Sequence, residues 1–290
     1  MFLIEPFIWM FKADRFKYHY LFLALTAVIC WLLTYLIYLV SGGFFNSGNF
    51  ILDIVIIILE LALFLAPTLC LTGYFWCLTD NVIGRNLEAR YSNVYDGVAD
   101  IVDVIKLPDW DLFRFIWRGI ASIFASFIMY IPFSLFLILV IFNLSILAVL
   151  WDLDPFQVTI ATGIFLLLFV LLIPGLLWNY ARRDSVVAVL NIPQAIYLME
   201  SYPLKYFFNS FLIVLFSIAR SLAIRAVIFA LGFGSVLTTT YTSAAQIESL
   251  MSSDIFMIYV IILLVSYVID AYWIFVNAYL LGTIAPPSEY

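Results

Sequence analysis

Five charged residues lie inside long apolar stretches of this sequence, where a side chain that can hold or pass a charge is rare. They are Asp53, Glu60, Arg220, Arg225 and Asp270. Burying a charge in lipid costs about 3 kcal/mol or more, so such residues are commonly paired or functional. A polar pathway or a proton relay is one chemistry that they allow. Structural ion pairs between packed helices, or arginines that reach toward the membrane surface, are the alternative.

Spacing limits how these charges can combine. Asp53 and Glu60 are seven residues apart and therefore share a helix face. Arg220 and Arg225 are five apart, about 140° around a helix, so they cannot easily share one partner. Arg220 and Asp270 fall at similar depth. We predict pairing among Glu60, Arg220, Arg225 and Asp270. Pairing of one charge with a different subunit is a further alternative.

Signatures of catalysis and of cofactor binding are missing. The chain has no GxSxG, HExxH, glycine-rich phosphate loop or Walker lysine, so we expect no enzyme, no catalytic residues and no cofactor. One histidine, His19, and three cysteines without a CxxC spacing predict neither a disulfide framework nor a metal site.

A group of acidic residues between the second and third apolar stretches offers another kind of site. These acids could bind a divalent metal or act as acid and base, but the spacing of the first three is typical of a solvated helix face. They are Asp96, Asp100, Asp103, Asp109 and Asp111.

Composition places the chain in a membrane. Of its 290 residues, 66% are hydrophobic and 11% are charged, against roughly half and a quarter in soluble domains. Lysine and arginine total 13 and form no basic stripe, so we expect a lipid bilayer and no nucleic acid as partners.

Six segments have the length of about 20 apolar residues that a spanning helix needs. Eleven of the thirteen basic residues lie before the first span, between the second and third, or between the fourth and fifth. By the positive-inside rule both termini face the cytoplasm, and we expect the cytoplasmic membrane of a prokaryote. The predicted spans are Tyr20–Val40, Phe50–Trp76, Arg118–Leu150, Val158–Trp178, Phe208–Leu237 and Ile255–Leu281.

The predicted architecture is an all-α integral membrane protein of three helical hairpins. An amphipathic segment precedes each hairpin on the inner side, and the second of these places Val94, Val98, Ile101 and Ile105 at helical spacing, typical of a helix in the interface plane. Residues 1–290 form one membrane domain. Its parts are in-plane segment 1–19, hairpin 20–76, linker 77–117, hairpin 118–178, linker 179–207 and hairpin 208–281.

The stretch "KLPDWDLFRFIWRG", Lys106–Gly119, is predicted to be the joint where an in-plane helix turns into the third span. Pro108 can open a helix because a first-turn residue needs no backbone donor. Asp109 and Asp111 suit the positive end of that helix, and Asp111 can pair weakly with Arg114.

The residues Gly-Tyr at the end of the second span and Leu-Pro-x-Trp-Asp before the third resemble an uncharacterised family of prokaryotic six-span membrane proteins. The resemblance covers most of the chain, although the linker between the two motif parts is longer and more acidic here. It implies an architecture and no catalytic residues. The matching positions are Gly73, Tyr74, Leu107, Pro108, Trp110, Asp111, Gly119 and Pro132.

From these features we expect an accessory or scaffold subunit that packs against other membrane-protein subunits. A small-solute, ion or lipid transporter or channel that uses the intramembrane charges is the alternative.

Overall fold

The computed structural model describes residues 11, 15–41, 49–95, 107–151, 154–230 and 253–284. All regular secondary structure in these ranges is helical, and a short 3-10 helix, Val186–Leu190, lies between the fourth and fifth α-helices. The α-helices are α1 (Phe16–Ser41), α2 (Phe50–Tyr95), α3 (Leu112–Trp151), α4 (Pro155–Arg183), α5 (Ile192–Ser201), α6 (Pro203–Ala230) and α7 (Ser253–Gly282).

Six helices are long and apolar enough to cross a membrane, judged by length and composition. The prediction of an all-helical, multi-pass membrane protein with six spans is therefore confirmed. The candidate spans within the described residues are Phe16–Ile37, Phe50–Gly84, Leu112–Ile131, Phe156–Arg183, Pro203–Ala226 and Ile261–Gly282.

Several helices extend beyond the predicted spans. The second helix does not end at Trp76 but continues to Tyr95, because its next turns pack inside the bundle, where Leu78, Val82 and Ile83 are buried. The third helix begins at Leu112 rather than Arg118. The helix that carries the fifth span begins at Pro203 rather than Phe208, and its predicted end at Leu237 lies outside the described residues.

The in-plane segments remain predictions. Most of segment 1–19 lies outside the described residues, and Phe16–His19 forms the first turn of α1. Of linker 77–117, the part up to Tyr95 belongs to α2, whereas Val98, Ile101 and Ile105 lie outside the described residues. Linker 179–207 holds the end of α4, the 3-10 helix, α5 and the start of α6.

Helix α2 occupies the centre of the bundle, where it packs against α1, α3, α4 and α7. Helix α7 also packs against α1 and α6. Among the described helices, the main neighbours of α6 are α7, α5 and α4. From Phe211 to Ala226 only Leu212 of α6 is buried, so α6 lies at the edge of the described bundle. Large apolar side chains on the outer faces of the helices are widely exposed, which suits contact with lipid.

Two glycines let the backbones of α2 and α3 touch. A Cβ added to Gly73 would lie 1.7 Å from the Phe115 carbonyl oxygen, and one added to Gly119 would lie 2.1 Å from the Leu69 carbonyl oxygen. No larger residue fits at either position without separating the helices, a packing mode in which membrane helices favour small residues.

Tyrosines from neighbouring helices bind the backbone beside two helix prolines. The Tyr206 hydroxyl accepts from the Gly175 N–H at 3.0 Å and donates to the Leu171 carbonyl at 2.6 Å, so it bridges the groups that would otherwise bond to each other next to Pro174. The Tyr267 hydroxyl donates to the carbonyl of Pro67 at 3.1 Å. These contacts satisfy backbone groups that lipid could not.

Candidate functional site

Arg220 and Asp270 form a two-pronged ion pair between α6 and α7. Arg220 Nη2 donates to Asp270 Oδ2 at 2.7 Å, and Arg220 Nε donates to Asp270 Oδ1 at 2.5 Å. The predicted pairing of these two residues is therefore present. Parallel hydrogen bonds of this kind fix geometry as well as charge, so the pair ties the edge helix α6 to α7.

Arg225 does not join that pair. It lies on an exposed face of α6, close to the end of the candidate span Pro203–Ala226, and no described residue forms an ion pair with it. Ser217 and Ser221 are also exposed and precede it at four-residue steps, so the three side chains share one face. We call Ser217, Ser221 and Arg225 the α6 polar stripe.

Glu60 and Asp53 lie on the inward face of α2, where both are buried. The two oxygens of Glu60 have no hydrogen-bond partner among the described residues, so the predicted pairing of Glu60 with Arg220, Arg225 or Asp270 is wrong. The carboxylate is instead covered without a hydrogen-bond donor among the described residues, an arrangement that is costly for a charge.

A charged cluster that the sequence analysis did not predict holds the ends of α3 and α4 together. Arg118 is buried, its Nε donates to Asp184 Oδ1 at 2.6 Å, and its Nη2 donates to the Ala181 carbonyl at 3.2 Å. Asp80 of α2 lies 3.6 Å from the same Nη2. We refer to the bundle end that carries this cluster as the Arg118 end.

Local backbone geometry places Asp184 within reach of Arg118. Asp184 ends α4 in the left-handed conformation, with φ of 48°, and its N–H donates to the Tyr180 carbonyl. Aspartate tolerates this conformation better than most residues do. The Tyr180 hydroxyl in turn donates to the Arg118 carbonyl at 3.3 Å, so the contact between the two helix ends is reciprocal.

An aromatic cluster lies near the same end. The Tyr74 hydroxyl and His19 Nδ1 lie 3.2 Å apart and share a hydrogen bond, and the Trp110 ring stacks on His19 with centroids 4.5 Å apart. Tyr74 also contacts Phe115 edge to face. His19 and Tyr74 are buried, so this cluster packs α1, α2 and the start of α3 together.

The motif residues serve this packing in different ways. Leu107 is buried, and Gly73 and Gly119 allow the backbone contacts already described. Asp111 caps α3, since its Oδ1 accepts from the Arg114 N–H at 3.0 Å. The Asp111 side chain thus binds the backbone N–H of Arg114, whereas we predicted weak pairing with the Arg114 side chain.

Pro108 does not open the helix as predicted. It precedes the first helical residue, Leu112, by four positions, because capping by Asp111 sets the start of α3. Pro132 lies inside α3.

The polar groups described above join helices to one another. No group of three or more His, Cys, Asp or Glu side chains within the described ranges could hold a metal ion. Of the acidic group, Asp96, Asp100 and Asp103 lie outside those ranges, while Asp109 and Asp111 are exposed.

Comparison of the chain with protein-family models, with curated proteins and with solved structures found no match in any of the three. The resemblance to an uncharacterised family rests on the motif residues and stays a prediction.

Proposed function

We propose that this chain is an accessory or scaffold subunit that docks a helix of another membrane protein on the α6 polar stripe. The observation that carries the proposal is an exposed arginine in a candidate span, in line with two exposed serines, on the edge helix of the bundle. Small residues let membrane helices approach closely, and polar residues join them.

Charge defines the chemistry of the partner. An acidic or carbonyl-bearing group suits Arg225, because a bound partner lowers the cost of an arginine within a span. Asp270 is already occupied by Arg220, so that group comes from outside this pair. A carboxylate on the docked helix is the best match, since arginine and carboxylate bond in parallel. Phosphate groups of lipids are the competing occupant.

Affinity purification in a mild detergent tests the proposal. Ser221→Phe and Arg225→Gln should each remove a stoichiometric membrane-protein partner while leaving the protein abundant. Ser134→Phe is the matched control, because Ser134 is an exposed serine of α3 on another part of the surface. Loss of the partner in the control as well, or retention in both stripe variants, would refute docking at this stripe.

A transporter or channel is the second candidate, and Glu60, which is buried without a hydrogen-bond partner among the described residues, favours it. Flux into liposomes by the purified protein, abolished by Glu60→Gln without loss of abundance, would support that function. Loss of abundance in the same variant would indicate a structural role for Glu60 instead.

A further inference from the structure

Glu60 is a buried acid in a membrane-spanning helix without a described hydrogen-bond donor. Only 5% of its surface is exposed, and both carboxylate oxygens are fully covered. Its neighbours along α2, Leu59 and Leu61, point outward and are exposed. The acid therefore faces the interior of the bundle, while the flanking residues face the surroundings.

Two hydrogen bonds between α1 and α2 show which turn of α1 lies level with Glu60. Trp31 of α1 donates to the Phe64 carbonyl at 3.3 Å, and His19 lies opposite Tyr74. These pairs show that α1 and α2 run antiparallel, so the turn of α1 with Thr34 and Tyr35 lies level with Glu60.

The described polar groups at this level, or within about three helical turns of it, are engaged elsewhere or carry no positive charge. The Thr34 hydroxyl donates to the Cys30 carbonyl at 2.9 Å, and the Tyr267 hydroxyl of α7 donates to the Pro67 carbonyl. Asp270 holds Arg220. Asp53, two turns away on the same face of α2, and Tyr35 bring no positive charge.

A charged carboxylate in such a place would lose its hydration without gaining a partner, which costs far more than a lost hydrogen bond. The occupant that neutralises it must be small, because the oxygens are covered. A hydrated metal ion or the side chain of a second protein does not reach covered atoms. A proton does.

We propose that Glu60 is a proton-binding site, occupied as a neutral carboxylic acid in the folded protein. The site does not depend on docking at the α6 polar stripe, so failure of either proposal leaves the other standing. It places a proton on a buried carboxyl group inside the helix bundle.

Infrared difference spectroscopy of wild-type protein and Glu60→Gln in lipid tests the proposal directly. Glutamine preserves the shape of the side chain and cannot hold the acid proton. The wild type should show the carbonyl stretch of a protonated acid, shifted in heavy water and lost in the variant. If the variant instead loses the stretches of an ionised carboxylate, Glu60 is charged in the wild type and the proposal is overturned.

Discussion

Arg118 shows how a single buried charge can organise several helices. The guanidinium of Arg118 binds Asp184 and the Ala181 carbonyl. The backbone carbonyl of Arg118 accepts a hydrogen bond from the Tyr180 hydroxyl. Removing one partner of a buried ion pair lowers stability by more than the net contribution of the pair, because the remaining charge is buried without a partner. Asp184 is about half exposed, so solvent screens part of this effect.

We therefore expect Asp184→Asn to destabilise the protein by about 1 kcal/mol, less than the roughly 1.5–3 kcal/mol of a hydrogen bond to a charged group, because solvent screens Asp184. Thermal unfolding in a mild detergent measures the change as a lower midpoint. Glu200→Gln, at an exposed acid of α5, should leave the midpoint unchanged. Equal midpoints for Asp184→Asn and wild type would mean that this pair contributes no stability.

Individual residues were predictable from sequence only where the membrane itself supplied the constraint. Arg220 and Asp270 stood out because each is a charge within an apolar span, and matching depth was enough to pair them. Arg118 and Asp184 lie at span ends, where charges are common, and 66 positions separate them. Their contact depends on the left-handed end of α4, which no spacing in the sequence signals.

At the scale of the helix, close contact between α2 and α3 depends on the absence of side chains at Gly73 and Gly119. The backbone of one helix occupies the volume that a Cβ of the other would need. Sequence alone suggested a motif at these positions, but the reason for it is tertiary: the residue opposite Gly73, Phe115, lies 42 positions further along the chain.

Gly73→Ala should force α2 and α3 apart and destabilise the fold by about 3 kcal/mol or more, as overpacking of a tight contact does. Gly84→Ala is the matched control, because nothing lies within 4 Å of its added Cβ. Alanine there should be neutral or stabilising by about 0.5–1 kcal/mol. Folded yield and size-exclusion profile report both outcomes; a normal profile for Gly73→Ala would contradict the described contact.

The hydroxyl of Tyr206 maintains the backbone next to Pro174 by bonding Gly175 and Leu171. Tyr206→Phe leaves a buried N–H without its partner, so we expect a loss of about 1–3 kcal/mol. Tyr130→Phe removes a hydroxyl from an exposed ring and should have little effect. Denaturant unfolding of both variants measures the difference, and similar values would exclude a stabilising role for the bridge.

Helix existence followed from apolar length, whereas helix ends did not. The segment after Trp76 contains polar residues and was assigned to a linker, yet α2 continues because α7 covers it: a Cβ on Gly282 would meet Val82 Cγ1 at 2.5 Å. Packing overrides local polarity at this point. The start of α3 similarly depends on capping by Asp111 rather than on Pro108.

For the whole molecule, the distribution of basic residues predicts that the Arg118 end faces the cytoplasm. Single cysteines placed at the two ends of α4, Ser185→Cys and Gln157→Cys, test this in a chain whose three natural cysteines are replaced; both positions are exposed. A membrane-impermeant maleimide added to intact cells should label only residue 157. Labelling of residue 185 alone would show that the Arg118 end faces outward, opposite to the predicted orientation.

The shape of the bundle also bears on what the chain does. Arg118 and Arg220 are held by internal contacts that join helices, while α6 presents polar groups outward at the edge. Such a division is expected of a protein that stabilises itself internally and meets a partner on one side.

The most direct measurement of the scaffold role is the mass of the particle extracted with its native lipids. We expect the chain in a stoichiometric complex with a second membrane protein, and a photoreactive residue at Leu222, exposed beside the α6 polar stripe, to crosslink to that protein. A photoreactive residue at Phe127, on the exposed face of α3, should not crosslink to it. A particle that contains this chain alone, with no crosslinked protein at Leu222, would contradict the account.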